Sequence, residues 1–150
     1  MDADPAAAGY EVLVFNSNQD VVDLLRLALG EEGYRVGAYH VVAFKTGEMD
    51  VQEVLERDCP RVVIFDVAPP YPANWAFFKL VSASPVGQTV CWLVTTTNVR
   101  ALTEEAGDAA PDNPIEVWGK PYDIELIVER VRDLAGTPGG GQEPARKGKK

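Results

Sequence analysis

A chain of 150 residues, 46% hydrophobic and 25% charged, has apolar material for one domain with a single core and is too short for two. The formal net charge is -9; Arg146, Lys147, Lys149 and Lys150 against Glu143 leave the last fourteen residues at +3, so the remainder carries -12, a body that repels nucleic acid. No apolar run approaches the roughly 20 residues of a membrane helix. The start MDADPAAAGY lacks the basic and apolar regions of a signal peptide, so a cytoplasmic protein with neither nucleic-acid nor membrane partners is expected.

In chain order, residues 1–9 read as a flexible start and Glu11 to Phe15 as a short buried strand. The polar cluster from Asn16 to Asp20 suits a turn and helix start, and Val21, Leu24, Leu25 and Ala28 then fall at the spacing of one apolar helix face, ended by Gly30 and Gly33. Tyr34 to Ala38 reads as a short edge strand, with His40 solvated in the loop after it. From Thr46 a helix places Val51, Val54 and Leu55 on one face, with acids towards its start where they suit the helix dipole. Val62, Val63, Ile64 and Phe65 form a run without polar alternation, the pattern of a strand covered on both faces, and it stops at Asp66.

Beyond Pro69, Pro70 and Pro72, a helix over Asn74 to Val81 brings Trp75, Phe78 and Leu80 or Val81 together as core. Thr89 to Thr95 is another continuous apolar strand, ending in Thr95, Thr96 and Thr97. A weak helix over Val99 to Ala106, an irregular link, a short strand over Ile115 to Trp118 and a helix over Asp123 to Leu134 burying Ile124, Ile127, Val128 and Val131 complete the domain at 10–135. Residues 136–150 read as a disordered Gly-rich basic tail. Cys91 lies in an apolar run and Cys59 before Pro60 at a loop; the pair gives neither a disulfide framework nor a metal-ligand spacing.

Strands alternating with helices predict an α/β fold, a five-stranded parallel sheet covered on both faces. Open sheets of this kind keep ligand sites outside the carboxyl ends of their strands. Asn16, Ser17, Asp66, Thr95 and Lys120 all follow strands. Asp66 alone reads equally well as a helix cap or turn residue. An Asp, a hydroxyl and a cation delivered by three successive strands have a shared purpose: a carboxylate that accepts a phosphoryl group gains charge and acceptor oxygens, which Thr95 and Lys120 can bind.

EVLVFNSNQDVVDLLRLAL, PRVVIFDVAPP, LVTTTN and WGKPYD together resemble the receiver domain of bacterial two-component response regulators, chemotaxis regulators included, from about Tyr10 to Leu134. The resemblance implies a flavodoxin-like three-layer sandwich with strand order 2-1-3-4-5, Asp66 as phosphoacceptor, Thr95 as switch hydroxyl, Lys120 as phosphate partner, and a cis bond before Pro121. It implies a signalling module rather than an enzyme, partnered by a sensor kinase or a downstream target, with room for a homodimer.

Two departures stand out. Receivers carry two acids after the first strand that hold Mg²⁺ with the phosphoacceptor, and here those positions are Asn16 and Ser17. Asp66 helped by the Asn16 oxygen makes only a weak metal site, so Mg²⁺ is expected to be weakly bound or absent. The aromatic switch position, three before the lysine, is Val117, and Trp118 follows it. The sequence therefore supports an atypical single-domain receiver in a phosphorelay and, as its alternative, a phosphorylation-independent pseudo-receiver that binds protein. A flavin or cobalamin carrier on the same fold would need a phosphate-cradling loop after the first strand or an Asp-x-His ligand motif, and neither is present. In the resting state Lys120 is expected within ion-pair reach of Asp66.

Overall fold

The computed structural model describes residues 9–106, 115–120 and 123–136. In order these form β1 (Val12–Phe15), α1 (Gln19–Glu31), β2 (Val36–Tyr39), α2 (Val41–Lys45), α3 (Val51–Asp58), β3 (Val62–Asp66), α4 (Tyr71–Ala83), β4 (Cys91–Thr96), α5 (Val99–Ala106), β5 (Ile115–Gly119) and α6 (Ile124–Ala135). All strand pairs are parallel, as the alternation of elements predicts, and the order is β2-β1-β3-β4-β5, the flavodoxin-like order that the resemblance implied.

Both faces of the central strands are covered, which explains why they read as unbroken apolar runs. Leu13, Phe15, Val63, Phe65, Trp92 and Val94 face one core, packed by α2, α3 and α4 through Phe44, Leu55, Trp75, Phe78 and Val81. Val12, Val14, Val62, Ile64 and Leu93 face the other, packed by α1 and α6. The first core is aromatic: ring centroids lie 5.6 Å apart for Phe15 and Phe65, 5.2 Å for Phe65 and Phe78, and 5.3 Å for Phe78 and Trp92. Trp92 donates its indole N–H to the Gly87 carbonyl at 2.9 Å, so this fully buried ring leaves no polar atom unpaired. Gly87 itself sits so close to α4 that a Cβ there would stand 2.1 Å from the Val81 carbonyl oxygen.

Several sequence expectations need correction. In α1 the buried face is Val22, Leu25 and Leu29; Leu24 is about half exposed, and Val21 and Ala28 only flank the core. Leu80 is exposed and Val81 buried, which settles the choice left open in α4. Ile124 is only partly buried against the second core, where Ala135 is fully engaged. His40 is not merely solvated: it precedes α2, a five-residue helix the sequence did not announce, and its Nε2 meets Gln19 Oε1 at 2.8 Å. Gly9, assigned from sequence to the flexible start, is buried, with its carbonyl accepting from Arg35 Nε at 2.9 Å. Gly136, assigned to the tail, caps α6 and accepts from the Tyr34 hydroxyl, while residues 1–8 and 137–150 lie outside the described residues.

Candidate functional site

The register of the sheet builds the site. Asp66, the last residue of β3, faces Thr95 across the β3–β4 pair. Lys120 follows β5, and its backbone N–H donates to the Thr96 carbonyl at 2.8 Å, so the same rim that holds Thr95 also fixes the lysine. The Thr95 hydroxyl donates to Asp66 Oδ1 at 2.7 Å, and Lys120 Nζ lies 2.6 Å from that same oxygen. Thr95 is fully buried and the Asp66 side chain is 9% exposed. A carboxylate so far removed from water would be costly alone, and two donors on one oxygen, one of them charged, offset that cost. The three residues read from sequence as one constellation are thus brought together, and the expected Lys120–Asp66 pair is formed. The cis bond expected before Pro121 concerns a residue outside the described ones.

Asn16 extends β1 by one position towards the same rim. Its backbone N–H donates to the Tyr39 carbonyl at 3.1 Å and its carbonyl accepts from the Val41 N–H at 3.3 Å. Its side-chain Oδ1 accepts from the Asn18 N–H at 2.8 Å, a local turn of the kind Asn favours. Asn18 in turn caps α1, its Oδ1 accepting from the N–H groups of Asp20 and Val21. These bonds explain why a polar NSN run follows an apolar strand. They also leave Asn16 Nδ2 buried with no hydrogen-bond partner among the described residues.

Ser17 is exposed, and with Asp66 it lines a cleft of about 530 Å³. Val41 and Val42 of α2 form one wall; Ala68, Pro69, Asn74 and Phe77 form the other. Sequence reasoning missed both walls. The five-residue α2 is too short to show a period, and Asn74 carried no signal of its contact, an Nδ2 donation to the Ala68 carbonyl at 2.6 Å. At the neighbouring rim position, Trp118 donates to Glu116 Oε1 at 3.4 Å while Arg130 Nε donates to Oε2 at 2.5 Å. The Arg130 hydrogen bond holds the Glu116 carboxyl below the usual carboxylate range, against the opposing effect of burial. Val117 is 39% exposed and belongs to neither core.

The donor set is low in charge for Mg²⁺, which is held by one or two carboxylates and keeps several waters. Asp66 is the single acid of the rim constellation, and its Oδ1 already carries Lys120 and Thr95. The Asn16 oxygen accepts one hydrogen bond from the Asn18 N–H and the Ala68 carbonyl one from Asn74. Among the described residues no cluster of three or more His, Cys, Asp or Glu side chains could hold a metal ion.

No family model matches the chain. Over 121 residues it is 28% identical to an uncharacterized 14.6 kDa protein from the sodA1 3′ region of Leptolyngbya boryana, covering 80% of this chain and 86% of that one. Its fold is similar to the signal receiver domain of a signal transduction histidine kinase from Syntrophus aciditrophicus, at 17% identity and a TM-score of 0.65, covering 95% of this chain and 97% of that one. It is also similar to the receiver domain of the sensor histidine kinase PA1611 from Pseudomonas aeruginosa, whose active-site cleft coordinates a magnesium ion, at 18% identity and a TM-score of 0.59, covering 86% and 99% of the two chains. With strand order, rim position and these likenesses in agreement, the chain has the receiver-domain fold of two-component response regulators.

Proposed function

We propose that this protein is an atypical single-domain receiver in two-component phosphorelay signalling, with Asp66 as a phosphoacceptor of low reactivity and output through contact with a sensor kinase or a downstream target. The observation that carries this reading is the convergence of the Lys120 ammonium and the Thr95 hydroxyl on one oxygen of Asp66. The same two donors can follow a phosphoryl group, whose added charge and acceptor oxygens strengthen charge-assisted hydrogen bonds. Oδ1, held by two donors, is the poorer nucleophile of the two carboxylate oxygens.

A specific observation favours a second reading, a pseudo-receiver that binds protein without phosphorylation: the rim position after β1 is a buried neutral Asn16, and the next is a neutral, exposed Ser17. Incubation with a small phosphodonor, with and without added Mg²⁺, followed by intact mass, separates the two. The first reading expects a slow adduct of one phosphoryl group that is lost in Asp66→Asn. A folded wild-type protein that stays unmodified assigns the molecule to the second.

A further inference from the structure

We infer that the rim around Asp66 is a cation-free site, in which an amide donor and an internal ammonium group stand where a divalent-cation site needs carboxylates. The inference rests on the receiver-type reading of this rim, and it concerns the rim's electrostatics whether or not Asp66 is phosphorylated.

Three groups at this rim have the character of metal ligands, and an oxygen of each already accepts from an internal donor. Asp66 Oδ1 holds Lys120 and Thr95. Asn16 Oδ1 accepts the Asn18 N–H, and the Ala68 carbonyl accepts the Asn74 amide. Turning the Asn16 amide over to free its oxygen would set Nδ2 against the Asn18 N–H, two donors facing each other. The orientation is therefore fixed by hydrogen bonding, and the buried, unpartnered group of Asn16 is its NH₂. An amide nitrogen offers no lone pair to a metal, and its N–H bonds point positive charge outward. It suits an acceptor such as a water or a phosphoryl oxygen and opposes a cation.

The charge balance leads to the same result. Asp66 and Lys120 together are formally neutral at 2.6 Å, so an arriving cation meets a fixed ammonium and no net negative charge. Mg²⁺ is ordinarily held by one or two carboxylates and several waters, and here it would meet a single carboxylate whose charge the ammonium already balances.

The test is a titration of ¹⁵N-labelled protein with Mg²⁺, followed by Mn²⁺ for paramagnetic broadening, with no phosphodonor present. In the wild type, amides from Asn16 to Asn18 and from Asp66 to Ala68 are expected to show no saturable shift up to about 20 mM Mg²⁺, and no more broadening by Mn²⁺ than the exposed acids Asp20 and Asp23. Asn16→Asp with Ser17→Asp adds two carboxylates and should create saturable binding at least about tenfold tighter. Saturable low-millimolar binding at these amides in the wild type overturns the inference. So does a folded double variant that binds no more tightly. Should the double variant fail to fold, the wild-type titration decides alone. The phosphodonor experiment tests a different reading, since an unmodified Asp66 leaves the cation result intact.

Discussion

Thr95 donates its hydroxyl to Asp66 from the directly facing position of the neighbouring strand, at 2.7 Å and out of contact with water. Thr95→Val keeps the shape and removes the donor. An expected loss of about 1–2 kcal/mol follows from leaving a nearly buried carboxylate with one partner fewer, and Thr95→Ser should restore most of it. Urea unfolding of the three proteins checks this.

The Lys120–Asp66 pair is suited to a double-mutant cycle. Lys120→Met leaves an uncompensated carboxylate that is 9% exposed, while Asp66→Asn with Lys120→Met removes both charges together. Because Lys120 keeps some access to water at 23% exposure, the coupling expected is about 1–3 kcal/mol, below that of a fully buried pair. A coupling indistinguishable from zero in denaturant melts would mean the pair contributes geometry and no energy.

Tyr34 gives the fold an alkaline limit. Burial pushes its phenol up to about 12, with Glu11 and Glu32 adding to the rise and Arg132 opposing it. A folded value above the ordinary 10.0 favours the neutral phenol, so this contribution is complete below about pH 10 and lost as pH rises through about 12. Its hydroxyl also donates to the Gly136 carbonyl at 2.6 Å. Tyr34→Phe should cost about 1 kcal/mol near neutrality. It should also flatten the fall in stability between pH 10 and 12 relative to wild type, as read from urea midpoints.

Glu116 gives a smaller effect of opposite sign. Its depressed value, caused chiefly by the Arg130 hydrogen bond, means stability present above the ordinary 4.5 and lost as pH falls through the folded value. Both side chains are about a third exposed, so the effect is modest. In Arg130→Met the Glu116 carboxyl should titrate nearer its ordinary value, with the Trp118 indole N–H resonance as a reporter in NMR.

Continuous β-branched runs made the strands legible, because strands covered on both faces leave no polar position to interrupt them. The order of rim residues was legible for the same reason: the last residue of each run marks where the strand leaves the core. The face of α1 was not. Val21, Leu24, Leu25 and Ala28 and, one step round, Val22, Leu25 and Leu29 both satisfy helical spacing, and only packing against Ile127 and Val131 selects the second set. Nor could sequence show which end of the Asn16 amide is engaged, since that depends on the Asn18 N–H two residues on. The short α2 and the Asn74–Ala68 contact depend on tertiary placement alone.

The far end of α6 is fastened at two points. Arg61 Nη1 donates to the Ala135 carbonyl at 2.6 Å, and Tyr34 holds Gly136. Arg61 stands just before β3 and Asp66 closes it, so this anchorage lies at the opposite pole of the sheet from the rim, about 16 Å away along five extended residues. A fluorophore or surface tether attached at Gly136 therefore stands at the back of the molecule, and binding measured through it leaves the Asp66 face open to whatever docks there.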